Sequence, residues 1–346
     1  MTFYIIILIA LLILSFIPQI RNSKVLLFVF ATVLIIFAAI RSLNVGTDTY
    51  NYYLAFRFPD RELAYYSNSL EVLYWWLIKF CGYFFNYDLY MFIVYVIIIT
   101  PVACVINKQS DNKFLSLLLY VCLGCYTSSF NTMRQAIAVS ISLYAFYQFE
   151  KGGRKLCKHA IICHLIAFLF HGSSIICLGI YLLRYIQLNK IVATIIVTCS
   201  FVIGFFMSDV LNDIFQLLSV YGGKYEAYFN MFSGGEDRNL LSNLGVNLVI
   251  LSVILLSPPS LSNSSFFWGS IAYIVLFNIC GSMGYLVRIS DYFLIFQVIS
   301  IPNVQIKIQN SFVKNGYFCF IIVYCIAIFF LRTLTINEVV PYSIRF

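Results

Sequence analysis

Arginines beside short polar motifs are the residues of this chain best suited to chemistry. They are Arg41, which precedes Gly46-Thr47-Asp48, then Arg134 with Gln135, and Arg288 with Asp291 and Tyr292. A planar guanidinium presents paired N–H donors to the oxygens of a phosphate, so this set predicts a binding site for an anion such as a diphosphate.

Three titratable groups can move a proton or orient an arginine. Asp48 and Asp291 are candidates for a general base or an arginine partner, and His171, followed by Gly172-Ser173-Ser174, is the third candidate. Each has a structural alternative. A carboxylate can cap a helix or form a salt bridge, and the histidine can bond a backbone carbonyl at a turn.

Other classes of chemistry lack their residues. The chain has only three histidines, none beside a carboxylate, and it contains no Gly-rich phosphate loop, HExxH, GxSxG or DxD motif. It also lacks a basic, aromatic-interleaved soluble face. We therefore expect no metal, no nucleotide or other cofactor, and no nucleic-acid partner.

The composition identifies the medium in which these residues must be positioned. Hydrophobic residues make up 62% of the 346 residues, charged residues only 10%, and the mean hydropathy is +0.90. In hydrocarbon every backbone polar group needs a partner, and the apolar runs lack period-2 alternation, so helices are favoured over a barrel. The sequence predicts an all-α, polytopic integral membrane helix bundle.

The apolar runs predict about 10–12 transmembrane segments, with re-entrant or interfacial helices among them. We expect one polytopic domain over residues 1–346, with external loops at about 41–87 and 208–239. The spans are predicted near 3–20, 24–40, 88–106, 114–130, 134–149, 191–207, 240–257, 266–285, 291–304 and 316–333.

Basic loops orient the predicted bundle, because Lys and Arg collect on the cytoplasmic side. The most basic loop, residues 151–158, is placed inside together with 307–314. Counting helices from there places 108–113 inside, and it places Arg21 and Lys24 inside if the segment 41–87 begins and ends outside. The same count places 41–69, 208–239 and the C-terminus outside. On this topology the arginine motifs and His171 share the outer face, although any single arginine there can instead reach lipid headgroups.

Two segments do not fit a simple crossing. Residues 70–86 are short, aromatic and interrupted by Lys79, which favours an interfacial or re-entrant helix. Residues 159–184 are flanked by basic residues at both ends, so we predict a hairpin of two short helices that turns at Phe170–Ser174. His171 then lies at the outer turn.

In order along the chain, these motifs resemble those of the EpsG-like family, grouped with the Wzy-type O-antigen and capsule polymerases. The matching residues are Arg41, Gly46, Thr47, Asp48, Tyr50, Arg134, Gln135, His171, Arg288, Tyr292 and Phe293. One departure is Gly172 after the histidine, where the family pattern leads us to expect a larger polar or charged residue.

The resemblance implies an enzyme that polymerises undecaprenyl-diphosphate-linked oligosaccharides at the outer face of the bacterial inner membrane. Membrane lipids, a chain-length regulator and a flippase are the further partners it implies. Such a donor is already activated, so the reaction needs anion stabilisation and a base. Arg41, Arg134 and Arg288 would bind the diphosphate, and Asp48 or His171 would assist the acceptor.

The remaining expected substrate contacts are polar and aromatic residues of the outer face. They are Thr47, Tyr50, Gln135, Tyr225, Tyr228, Asp291 and Tyr292. Tyrosine rings can stack on sugars, but anchoring at the membrane interface is the commoner use of such residues. Two other functions remain open from sequence: a polysaccharide transporter or flippase, and the ligase that moves finished O-antigen to lipid A core.

Overall fold

The structure is a computed structural model that describes residues 2–61, 71–153, 155, 157–183, 189–207, 209–210, 213, 240–281, 284–330, 334 and 337–345. These residues form helices and turns, with one isolated antiparallel bridge between Arg41 and Ile344. The all-α fold class predicted from composition is confirmed.

The chain divides into two compact units. Unit 1 comprises residues 1–175 and 322–346, and unit 2 comprises residues 176–321. Each unit is described by itself below. The expectation of a single polytopic domain concerns how the units associate, and it stays a prediction.

Unit 1 carries the helices that lie nearest the predicted motifs. They are α1 (Thr2–Phe16), α2 (Lys24–Ile40), α3 (Thr49–Arg57), α4 (Val72–Phe84), α5 (Tyr87–Gln109), α6 (Lys113–Cys122), α7 (Cys125–Ser128), α8 (Met133–Lys151) and α9 (Lys158–Phe170). Helix α8 packs against α5 and α9, α5 packs against α2, and α4 packs against α9. A 3-10 helix, Gly172–Leu178, follows α9 and continues into unit 2.

Unit 2 contains a second set of apolar helices. They are α10 (Gly179–Leu183), α11 (Lys190–Phe206), α12 (Leu240–Leu256), α13 (Pro259–Ser262), α14 (Ser265–Cys280), α15 (Arg288–Leu294) and α16 (Gln297–Lys307). A 3-10 turn, Gly284–Val287, leads into α15, and α17 (Ser311–Ile328) begins in unit 2 and ends in unit 1.

Within the described residues, three helical stretches are long and apolar enough to cross a membrane: Tyr87–Gln109, Arg288–Lys307 and Ser311–Ile328. Other apolar helices have 10–17 residues, among them α2, α11 and α14. At about 1.5 Å per residue, helices of 15–17 residues reach roughly 23–26 Å, a little less than a typical hydrocarbon core. Together these elements make a helical membrane protein.

Two of the predicted spans are interrupted. The span predicted over 114–130 ends as α6 at Cys122, because Gly124 adopts a left-handed conformation with φ +88°. That conformation is accessible to glycine without a Cβ clash. The span predicted over 291–304 starts at Arg288 and breaks between Leu294 and Gln297.

A buried polar contact joins three helices of unit 2. The side-chain amides of Asn247 on α12 and Asn278 on α14 exchange hydrogen bonds of 2.9 Å, and Asn278 also donates to Ser200 Oγ on α11 at 2.9 Å. Nearby on α11, a Cβ at Gly204 would overlap the backbone carbonyl of Asn278. The absence of a side chain at Gly204 therefore lets α11 and α14 approach closely.

The C-terminal strap, residues 337–345, folds back onto one end of unit 1. Its backbone accepts from Asn131 Nδ2 at Asn337 (3.0 Å), from the Gly46 N–H at Glu338 (3.0 Å) and from the Ser42 N–H at Ser343 (2.8 Å). Segments predicted to be external, 41–48 and the C-terminus, thus lie together. At another place in unit 1, Lys113 Nζ bonds the Asn22 carbonyl at 2.7 Å, joining two segments predicted to be internal.

Candidate functional site

Three ionisable side chains from distant parts of unit 1 meet in one cluster. Glu71 accepts from Arg134 Nη1 through Oε2 at 2.7 Å, and its Oε1 lies 2.7 Å from His171 Nδ1. The side chains are 18–26% exposed, so the cluster is half-buried but open to a ligand. We call Glu71, Arg134 and His171 the ion cluster.

Helix ends position all three members of the ion cluster. Glu71 immediately precedes α4 in an extended conformation, Arg134 is the second residue of α8, and His171 follows the last residue of α9. Because α4 packs on α9 and α9 packs on α8, the ends of three helices converge here. The predicted break at His171 is confirmed, since α9 ends at Phe170.

The ion cluster is arranged to keep Glu71 ionised. Burial tends to raise the pKa of this carboxyl, but the hydrogen bond with His171 and the positive charge of Arg134 outweigh burial and lower the pKa to about 2. An ionised carboxylate only accepts hydrogen bonds, so His171 Nδ1 must donate to it. In the neutral ring, Nε2 is then the atom with a lone pair, which is the form that a general base requires.

Arg134 is held by its neighbours as well as by Glu71. Its guanidinium lies 5.7 Å from the centre of the Tyr74 ring. The Tyr52 hydroxyl accepts the Met133 N–H at 2.9 Å and donates to the Asn131 carbonyl at 2.9 Å.

Tyr52 thereby performs the task of a helix cap for α8. Thr132, at the N-cap position, makes no side-chain capping bond, and the first N–H groups of a helix have no intrahelical acceptor. The Tyr52 hydroxyl supplies one from α3. The first turn of α8, which carries Arg134, is thus fixed to the segment that begins at Asp48.

Asp48 and its neighbours lie near this arrangement but outside the ion cluster. Asp48 precedes α3, is partly exposed, and accepts from Asn51 Nδ2 at 3.4 Å. Thr47 and Tyr50 are exposed, whereas Gln135 is buried beside Arg134. These positions leave Asp48, Thr47 and Tyr50 accessible to a substrate.

Arg41, expected to contact substrate, is fully buried. Its guanidinium donates to the Ala38 carbonyl and to Thr49 Oγ1, and it stacks 4.3 Å from the Phe130 ring centre and 5.0 Å from that of Tyr95. In this arrangement Arg41 joins the end of α2 to the start of α3, and its charge is enclosed by protein groups.

The other expected site residues lie in unit 2. On α15, Arg288 is exposed, Asp291 is half-buried and Tyr292 is buried. The structure therefore brings Arg134 together with His171, and places Arg288 in a separate unit. A joint diphosphate clamp of Arg134 and Arg288 stays a prediction. Tyr225 and Tyr228 lie outside the described residues.

Sequence reasoning did not identify Glu71 or Tyr52. Glu71 is a single carboxylate directly before an apolar, aromatic helix, and Tyr52 is one of several tyrosines after Asp48. A carboxylate at the edge of an apolar segment is costly unless paired, and this cost was the available signal for Glu71. In the described part of the chain, no group of three or more His, Cys, Asp or Glu is placed to hold a metal ion.

Comparison with known proteins places these residues in a family. The family model described as the EpsG family matches residues 24–344, nearly the whole chain. No curated protein and no solved structure matches significantly.

Proposed function

Since this chain belongs to the EpsG family, which is associated with Wzy-type polymerases, we propose that it polymerises oligosaccharides carried on a polyprenyl diphosphate. The substrate is a repeat unit on undecaprenyl diphosphate, and the reaction occurs at the outer face of the inner membrane. The product is an O-antigen or capsular polysaccharide. The enzyme is a glycosyltransferase that works without metal or nucleotide.

The observation that carries this proposal is the ion cluster. Sequence motifs selected Arg134 and His171 separately, 37 positions apart, and in unit 1 both contact the same carboxylate. A cation for a leaving diphosphate and a base for an acceptor hydroxyl are the two groups that this transfer needs. Their joint presence supports a transferase over a passive binding protein.

In the proposed reaction, each member of the ion cluster has its own role. The bond between the anomeric carbon of the growing glycan and its diphosphate breaks, and the electron pair leaves with the diphosphate, beside Arg134. A hydroxyl of the incoming unit forms the new bond to that carbon, and its proton passes to His171 Nε2. Glu71 does not react, since it holds the histidine proton at Nδ1 and orients the guanidinium.

Reconstitution tests this proposal with purified protein in liposomes and a synthetic lipid-diphosphate oligosaccharide, with products resolved on a gel. Arg134→Lys keeps the charge but loses the paired geometry, and His171→Gln loses the base at Nε2. Removing one contact made mainly in the transition state costs about 2–4 kcal/mol, so we expect rates roughly 30- to 1,000-fold lower.

Arg57→Lys, an exposed arginine at the end of α3, is the matched control and should keep the wild-type rate. Wild-type rates in both Arg134→Lys and His171→Gln at equal protein levels would refute the site. In cells, loss of the gene should leave surface lipid carrying one repeat unit. Polymer retained on carrier lipid would indicate a ligase, and units trapped in the inner leaflet would indicate a flippase.

A further inference from the structure

Two helices that have one end at the ion cluster, α4 and α9, expose apolar stripes. On α4, Val72, Trp76, Phe80 and Phe84 recur every four residues, and each is more than half exposed. Residues four apart lie on one helix face. The opposite face of α4 is buried through Tyr74, Ile78 and Cys81.

Helix α9 shows the same division into two faces. Ile161, Leu165 and Phe168 are exposed, whereas Ala160, His164 and Ala167 are buried. Helix α4 begins directly after Glu71 and α9 ends directly before His171, and the two helices pack against each other. Both stripes therefore lead to the Glu71–His171 contact from opposite directions along the chain.

We propose that the exposed faces of α4 and α9 bind the polyisoprenyl tail of the lipid diphosphate. This inference rests on the proposed function. A diphosphate attracted by Arg134 is covalently attached to its tail, so the tail must leave the site along apolar surface that adjoins the ion cluster. The stripes adjoin it directly, with Val72 next to Glu71 and Phe168 three residues before His171.

The dimensions and side chains of α4 suit this ligand. Thirteen residues give a helix of about 20 Å, enough to follow a chain through one leaflet, whose hydrocarbon is roughly 15 Å thick. Flat rings at Trp76, Phe80 and Phe84 offer broad contact to the repeated double bonds and methyl groups of an isoprenoid.

Helix α1 provides the matched reference surface. Ile6, Ile9 and Ile13 are also exposed, but α1 carries no charged residue, and Glu71, Arg134 and His171 lie on or directly beside other helices. Bilayer acyl chains should contact both surfaces alike. A carrier lipid whose head is bound at Arg134 should prefer α4 and α9.

Photolabelling of full-length protein in liposomes compares two diazirine probes, one in the tail of a polyprenyl diphosphate and one in a phospholipid chain. We expect the polyprenyl probe to label α4 and α9 over α1 roughly three- to tenfold more than the phospholipid probe does, the preference expected from burying about one or two additional CH2 groups. Unlabelled polyprenyl diphosphate should remove this preference, and so should Arg134→Ala. The same ratio for both probes would overturn the inference.

Kinetics give a second, independent measurement on the same preparations. Phe80→Ala together with Leu165→Ala should raise KM for the lipid substrate by about three- to tenfold at an unchanged kcat, and Ile9→Ala together with Ile13→Ala should leave KM unchanged. An unchanged KM in the first pair counts against the inference. If wild-type protein polymerises without preferential labelling, this inference alone fails; if labelling is preferential without polymerisation, the proposed function alone fails.

Discussion

Glu71 is the residue through which Arg134 and His171 are linked, so its charge should matter more than its volume. Glu71→Gln keeps the shape of the side chain but replaces one of its two acceptor oxygens with an NH2 donor. The side chain then no longer offers one acceptor oxygen to each of its two partners. We expect the histidine to lose its fixed tautomer and the arginine its orientation, with kcat lowered roughly 10- to 1,000-fold. The reconstituted polymerisation assay measures this directly.

The pKa of Glu71 sets a further expectation. Because it falls from the ordinary 4.5 to about 2 in the folded protein, the ionised carboxylate stabilises the fold above pH 4.5, and this contribution disappears as the pH falls toward 2. Unfolding of Glu71→Gln should therefore depend less on pH in that interval than unfolding of the wild type. Full polymerisation activity in Glu71→Gln would show that the contacts of Glu71 with Arg134 and His171 are not needed for the reaction.

At this scale the sequence predicted Arg134 and His171, because an arginine at an apolar helix end and a histidine at a helix break are visible in one dimension. It could not predict Glu71, whose partners follow 63 and 100 residues later. Nor could it distinguish Arg41, which is enclosed by Tyr95 and Phe130, from an exposed arginine such as Arg288. Hydropathy is a property of the linear sequence, and it does not show which side chains surround a residue in the folded protein.

At the scale of the helices, the close approach of α11 to α14 depends on Gly204. A methyl group there would overlap the Asn278 carbonyl, and the asparagine is tied to Asn247 and Ser200. Gly204→Ala should therefore separate α11 from α14 and lower the free energy of unfolding by about 1–3 kcal/mol. Thermal unfolding in detergent is the measurement.

Gly245 on α12 supplies the control, since a Cβ there meets nothing within 4 Å. Gly245→Ala should be neutral or stabilising by up to about 1 kcal/mol, because alanine favours the helix over glycine. Equal melting temperatures for the two variants would show that α11 and α14 are not held as closely as described.

Helix bounds were largely predictable from apolar runs. The predicted span 24–40 coincides with Lys24–Ile40, and 191–207 differs from Lys190–Phe206 by one residue at each end. The break between Leu294 and Gln297 was not predictable, because Ile295 and Phe296 are apolar and give no turn signal. The cluster of helix ends around Glu71 likewise requires tertiary packing to be seen.

Across the whole molecule, sidedness is the property that decides whether the ion cluster can meet an external substrate. We expect Asn44→Cys, in the loop after Arg41, to react with an impermeant thiol reagent added outside, and Asn22→Cys to react only after permeabilisation. Both are exposed, and the eleven native cysteines must first be replaced. Reaction of Asn44→Cys only from the cytoplasmic side would overturn the site.

The division of the chain into two compact units could not be predicted from hydropathy. Apolar runs look alike on both sides of residue 176, yet the chain clusters there into separate units. The diphosphate clamp predicted from sequence paired Arg134 with Arg288 because both were expected at the outer face of the membrane. Lying at the same face is weaker evidence that two residues are close than contacting the same side chain. Glu71 supplies that stronger evidence for Arg134 and His171.

The C-terminal strap has a consequence for the timing of biosynthesis. The backbone of Gly46, beside Thr47 and Asp48, bonds Glu338, and Asn131, just before the turn that carries Arg134, bonds Asn337. A ribosome makes these partners about 200 to 300 residues after the groups that they hold. The bonds that hold Gly46 and Asn131 therefore form only after residues 337 and 338 have been synthesised, so a nascent chain that lacks this segment has an incomplete framework around the start of α8.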